Sequence, residues 1–159
     1  MKSGFTRQET LQLTGITSNQ LSYLDRTDVV KPEKSGNLKH PKVIYSWEQV
    51  LQIKTISRLR ESLSLQEIRQ VIDYLKRENY NPSLFKMGLL FFNSNLYWVK
   101  DEDELKSIVI ELTGKNRGQI IIHSVQEIGN VIDELRREAE RNQVLDFDKR
   151  IQGTPLAIS

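Results

Sequence analysis

The 159-residue sequence predicts an α+β chain with its helices and strands unevenly divided. Three observations carry this. As far as residue 78, apolar residues recur at helical spacing, interrupted by one lysine-rich stretch of turn formers. Beyond Asn79-Tyr80-Asn81-Pro82-Ser83 the period shortens and strand-forming segments begin. Ahead of five of the six expected helices, a Ser or Thr stands three residues before a Glu or Gln, the mark of a helix N-terminus. The expected organisation is residues 1–78, a small ββαβα module at 79–144, and a partly disordered tail at 145–159 that is low in pattern.

In chain order, Thr6 and Glu9 form a capping box that opens a short helix with Leu11 inward. Gly15 follows its end, where a left-handed turn suits a residue without Cβ. Thr17 and Gln20 cap a second helix over about residues 18–26. Two short helices joined by a tight glycine turn make a helix-turn-helix, whose second helix can enter a DNA major groove. That helix has a hydrogen-bonding front of Ser18, Asn19, Gln20, Ser22, Tyr23 and Arg26, with Leu21 and Leu24 on its other side. A plain helical hairpin with a solvated polar face is the competing reading of these two helices alone. The next stretch favours the first. Val29-Val30-Lys31-Pro32 and Val43-Ile44-Tyr45 flank turn formers, as in a small β-hairpin or wing. Lys31, Lys34, Lys39 and Lys42 stand there against the single acid Glu33, able to meet phosphates as mobile point charges.

These features resemble the MerR family of winged-helix regulators. The likeness rests on the helix-turn-helix, on Leu21-Ser22-Tyr23-Leu24-Asp25-Arg26 before Val29-Val30-Lys31-Pro32, on the wing ending in Tyr45-Ser46, and on the helices beyond; it covers about residues 4–78. The resemblance implies binding of double-stranded promoter DNA by a homodimer. Its DNA-facing set would be Thr17, Ser18, Asn19, Gln20, Ser22, Tyr23 and Arg26 from the second helix, with Lys34, Asn37, Lys39, His40, Lys42 and Tyr45 from the wing. There are two departures from it. Many members carry Arg where Ser22 stands, and a Tyr-Arg pair where Lys42-Val43 stands, so their phosphate grip does not transfer directly.

Composition narrows the functional classes. The hydrophobic fraction of 38% and mixed charge fit a globular chain. The absence of cysteine removes disulfides, thiol redox sensing and thiolate metal sites. Neither a signal peptide nor a run of about 18 apolar residues is present, so a cytoplasmic location and no membrane contact are expected. Residues 1–80 hold 13 Lys and Arg against 9 Asp and Glu, a balance of +4; residues 81–159 hold 10 against 12, a balance of −2. The basic half is the one with the helix-turn-helix.

Past the wing, Ser46 and Gln49 cap a helix from Trp47 to about Ser62, with Val50, Leu51, Ile53, Ile56 and Leu59 on its apolar face. Arg58 and Arg60 on the opposite side either reach phosphates or are merely solvated. Ser64 and Glu67 cap another helix to about Glu78, with Leu65, Ile68, Val71, Ile72 and Leu75 inward. Leu89-Leu90-Phe91-Phe92 and Leu96-Tyr97-Trp98-Val99 then read as a hairpin around Asn93-Ser94-Asn95. The stretch from Asp101 to Leu112 reads as a helix with acids at its N-terminal end, Gln119 to His123 as a third strand, and Ser124 with Glu127 as the cap of a last helix to about Arg141.

Catalytic and metal chemistry find little support, and no cofactor is expected. His40 and His123 lack ligand-spaced partners. Asp101, Glu102, Asp103 and Glu104 read better as a solvated helix start than as an acid–base site. Phe91, Phe92, Tyr97 and Trp98 read as core rather than as a drug-sized pocket. The C-terminal half, with Gly118-Gln119, also resembles VapB-like antitoxins that carry a MerR-type head. This implies an alternative function, neutralising a ribonuclease toxin as protein partner and repressing its own operon. The overall make-up is similar to compact MerR-type repressors encoded with CRISPR-associated transposons. The expected function is a homodimeric, non-enzymatic repressor.

Overall fold

A computed structural model of the chain describes residues 4–37, 39–92, 94–103, 106–114, 117–118, 120–121 and 129–151. Its elements in order are β1 (Phe5–Thr6), α1 (Arg7–Thr14), α2 (Ser18–Arg26), β2 (Glu33–Ser35), β3 (Lys42–Tyr45), α3 (Trp47–Leu59), α4 (Leu65–Arg77), a 3-10 turn (Leu84–Lys86), β4 (Gly88–Phe92), β5 (Asn95–Asp103), β6 (Lys106–Glu111), β7 (Ile120–Ile121), α5 (Gly129–Arg141) and α6 (Phe147–Arg150). The chain is α+β. It groups into two compact units, residues 1–58 with 130–159, and residues 59–129.

In the first unit, which contains the winged head, helix starts follow the capping logic of the sequence. Thr6 Oγ1 accepts from the Glu9 amide at 3.1 Å while Glu9 Oε1 accepts from the Thr6 amide at 3.0 Å. Thr17 with Gln20, and Ser46 with Gln49, close the same reciprocal pairs. Each such cap contributes about 1 kcal/mol by satisfying amides that the helix leaves unpaired. Gly15 ends α1 with φ 74°, and its amide donates to the Leu11 carbonyl.

The inward face of α1 differs from expectation. Leu11 is only half-buried, whereas Thr10, Leu13 and Thr14 are buried. The reason is hydrogen bonding: Thr10 Oγ1 donates to the Thr6 carbonyl at 2.8 Å and Thr14 Oγ1 to the Thr10 carbonyl at 2.7 Å. With the hydroxyls satisfied inside the helix, the threonine methyls can face the core. The wing forms a three-stranded antiparallel sheet in the order β1-β3-β2, with Phe5 opposite Tyr45 and Glu33 opposite Ile44. β1 is an addition to the expected hairpin. Its approach needs Gly4, where a Cβ would lie 2.6 Å from Ile44 Cγ2 and 2.8 Å from the Tyr45 carbonyl oxygen.

The last helices belong to this unit too. Ile132, Leu135 and Ala139 of α5 are buried, and Phe147 of α6 stands edge-on to Trp47, with ring centroids 5.4 Å apart, and 6.2 Å from Phe5. Arg150 Nη1 donates to Glu9 Oε2 at 2.7 Å, and its guanidinium lies 5.3 Å from the Phe5 ring centroid. Residues 147–150 are therefore helical and anchored, where the sequence led us to expect an unpatterned tail. Their anchors lie about 140 positions away, out of reach of any local pattern. Residues 152–159 lie outside the described residues.

The second unit carries α4 and a four-stranded antiparallel sheet in the order β4-β5-β6-β7. Ser64 and Glu67 cap α4 reciprocally, and Ile68, Val71, Ile72 and Leu75 are its buried stripe. β4 and β5 pair from Gly88↔Val99 to Phe92↔Asn95, and Ser94 in the connection takes φ 63°. Tyr97 is buried, and half-buried Trp98 meets Tyr80 edge-on at 5.0 Å.

The helix expected over Asp101 to Leu112 is not there. Asp101, Glu102 and Asp103 end β5, and Lys106 to Glu111 form β6, paired Val99↔Val109 with a register shift between Asp101 and Asp103. The run Ile108-Val109-Ile110 explains the outcome, since β-branched side chains crowd a helix and suit a pleated surface. The ββαβα order is thus four strands before the last helix. Of the expected third strand, Ile120–Ile121 pair with β6. Gln119, His123, Glu104 and the Ser124–Glu127 cap lie outside the described residues.

Candidate nucleic-acid interface

Helix α2 presents an exposed front. Ser18, Asn19, Ser22 and Arg26 are exposed, Gln20 and Tyr23 are half-buried, and Leu21 and Leu24 are buried on the opposite side. Two of the expected readers have a structural duty as well: Thr17 Oγ1 and Gln20 Oε1 are both engaged in the α2 cap. The Arg26 guanidinium sits 5.7 Å from the Tyr23 ring centroid, a cation–π contact that restrains both side chains.

The wing is tethered to this helix by charge. Asp25 Oδ2 lies 2.6 Å from Lys34 Nζ, and Asp25 Oδ1 lies 3.4 Å from Lys31 Nζ, which also meets Asp28 at 3.4 Å. Burial pushes the Asp25 carboxyl upward, but the hydrogen bonds and charges of Lys34 and Lys31 outweigh it and hold Asp25 below the usual carboxylate range. Contact with Asp28 and Asp25 pushes Lys31 up correspondingly. A second tie runs from Gln49 Nε2 to the Lys31 carbonyl at 2.6 Å.

The expected wing residues therefore divide. Lys34 is held by Asp25, whereas Lys39 and Lys42 are exposed with no carboxylate partner among the described residues. Asn37 Oδ1 accepts from the Lys39 amide at 2.9 Å, so this side chain shapes the wing turn beside Gly36, which has φ 86°. His40 is exposed beside them. Tyr45 is placed differently: it is 1% exposed, in the core, and presents almost no side-chain surface. Desolvation, with the Asp25 charge adding to it, pushes its hydroxyl up to about 12. Its large ring fills the space between sheet and helices, which a residue-type reading of the wing's last strand does not disclose.

Two residues of this surface escape sequence reasoning. Asp25 anchors the wing, and its signal is an acid at the end of α2 followed by Lys31 and Lys34. Arg7, at the start of α1, donates from Nη2 to the Ser18 carbonyl and to Ser22 Oγ, both at 3.0 Å. No local pattern marks Arg7, because its partners lie 11 and 15 residues away.

Two capped helices with a polar front and a basic hairpin beside it constitute a winged helix-turn-helix head. Residues 5–75 match the family model described as MerR HTH family regulatory protein, so the chain carries a MerR-type helix-turn-helix domain over that span. Among curated proteins, it is similar to uncharacterized HTH-type transcriptional regulators of Mycobacterium bovis and of two strains of Mycobacterium tuberculosis. Each is 32% identical over 91 residues, spanning 54% of this chain and 40% of the relative. The chain thus matches less than half the length of those relatives. Among the described residues, no helix is long and apolar enough to cross a membrane, and no three His, Asp or Glu side chains are grouped to hold a metal ion.

Proposed function

We propose that the chain is a sequence-specific DNA-binding regulator of transcription, acting without catalysis as a homodimeric repressor at a two-fold operator. The observation that carries this reading is the exposed polar front of α2 flanked by the wing cations Lys39 and Lys42, which have no carboxylate partner among the described residues. In this reading α2 lies in the major groove. Ser18, Asn19, Gln20, Tyr23 and Arg26 meet base edges or flanking phosphates, and Lys39, His40 and Lys42 follow the adjacent backbone. One recognition helix makes few base contacts, and a second copy related by two-fold symmetry doubles them on a palindromic site. Repression is the simpler direction of control for a head that occupies a promoter, since activation needs a trigger with differential affinity for two states.

Footprinting of the purified protein on DNA upstream of its own and neighbouring genes tests the proposal. Where those genes belong to a CRISPR-associated transposon, the effector and guide-RNA promoters are the first DNA to try. A protected two-fold site over a promoter is the expected result. Arg26→Ala, and separately the pair Lys39→Ala and Lys42→Ala, should weaken binding at least tenfold with unchanged folding, the lysine pair lowering the salt dependence by nearly two counterions (about 0.9 per phosphate). Absence of protection at moderate salt would sink the reading, and a pull-down with the full chain would then probe a protein partner.

A further inference from the structure

The Arg7 guanidinium is held against the first turns of α2 by its Nη2 group, which donates to the Ser18 carbonyl and to Ser22 Oγ. Its Nε and Nη1 donors have no partner among the described residues. Among those residues no carboxylate lies within ion-pair distance of it either. Its acidic neighbours in sequence and space are otherwise engaged: Glu9 is bound to Arg150 and to the Thr6 amide, and Asp25 to Lys34 and Lys31. Of the cations near α2, Lys31 and Lys34 are neutralised in this way, and Arg26 rests on Tyr23. Arg7 is thus a positioned cation with spare donors, set beside the positive end of a nine-residue helix.

We infer that Arg7 is a backbone-phosphate ligand, reaching a DNA phosphodiester beside the N-terminal half of α2 with Ser22 as its positioning residue; this rests on the DNA-binding reading above. The spare Nε and Nη1 donors can each meet a phosphate oxygen, and a guanidinium that is already hydrogen-bonded in place loses less side-chain entropy on binding than a free lysine. Ser22 stands where many MerR-type heads carry Arg. The structure brings a guanidinium to that same hydroxyl from the neighbouring helix. Position 22 then contributes through its hydroxyl rather than through a charge of its own.

The test is salt-dependent binding of the full chain to two duplexes, one from upstream of its own gene and one of mixed sequence. Arg7→Gln should weaken binding to both by about three- to tenfold and lower the slope of log K against log salt by about 0.9. Arg7→Lys should keep the slope and lose only part of the affinity, because charge is retained without the guanidinium's fixed donors. Adding Ser22→Arg to Arg7→Gln should restore the slope. An unchanged slope in Arg7→Gln would overturn the inference, as would a slope that Ser22→Arg leaves unrestored, since Arg7 would then act only on the α1–α2 joint. If the unmodified chain binds neither duplex, it is the DNA-binding reading that fails, and with it this one.

Discussion

In the winged head, Phe5 is enclosed by Trp47 and by Phe147, and the capping carboxylate of α1 is held by Arg150. Its first and last turns are therefore closed by one another across nearly the whole chain. In the sheet unit, β4, β5, β6 and β7 pair in sequence order, and a more distant tie, the Arg117 guanidinium over the Tyr74 ring at 6.0 Å, still joins residues far closer in the chain than Phe5 and Phe147. One unit is assembled from local hairpins, the other by the return of a distant segment. The lesson is that loss of a C-terminal side chain should be felt at the N-terminal helix-turn-helix, while defects in the sheet should stay near their origin.

The two tryptophans allow this contrast to be broken, since Trp47 reports the head and Trp98 the sheet unit. Phe147→Ala should cost the head about 2–4 kcal/mol by opening a cavity against Phe5 and Trp47. Leu96→Ala should cost the sheet unit a similar amount. In denaturant melts of single-tryptophan variants, the first should lower the midpoint seen at Trp47 and the second that at Trp98. Equal shifts at both reporters would mean that the units unfold as one.

A smaller effect is expected at the ion pair. The Arg150 side chain is 6% exposed and that of Glu9 18%, so Arg150→Met leaves a partly buried carboxylate without its cation. The cost should be about 1–3 kcal/mol, and Glu9→Gln added to it should recover part of that loss, because the stranded charge is then gone. A double variant as unstable as the sum of the singles would show that the pair is not coupled.

The wing tether is the mildest case. Asp25 is held below the usual carboxylate range, so its contribution is present above that range and lost as pH falls through the lowered value. Because the site is largely solvated, the effect belongs to the wing rather than to global stability. Amide exchange of residues 33–36 should rise below about pH 4 in the native chain. In Asp25→Asn it should already be high at pH 7; equal protection in both proteins at neutral pH would remove Asp25 as the anchor.

The sequence by itself determined the head to the level of its caps. Thr6–Glu9, Thr17–Gln20, Ser46–Gln49 and Ser64–Glu67 are reciprocal pairs within a single turn, and Gly15 is a one-residue backbone requirement. Such interactions need no tertiary information, so they are legible one window at a time. The polar front of α2 was legible for the same reason. Tertiary structure decided what depends on partners elsewhere. The acids at 101–103 imitate a helix start, and only pairing with β6 shows them to be strand. Tyr45 looks like a surface residue of the wing until the core closes over it. Arg7 and Arg150 are ordinary surface cations in the sequence; Ser22, 15 residues on, and Glu9, 141 residues back, give them their places. Local hydrogen bonds are encoded by spacing, whereas burial and ion pairing are set by which distant side chains the fold brings within a few ångströms.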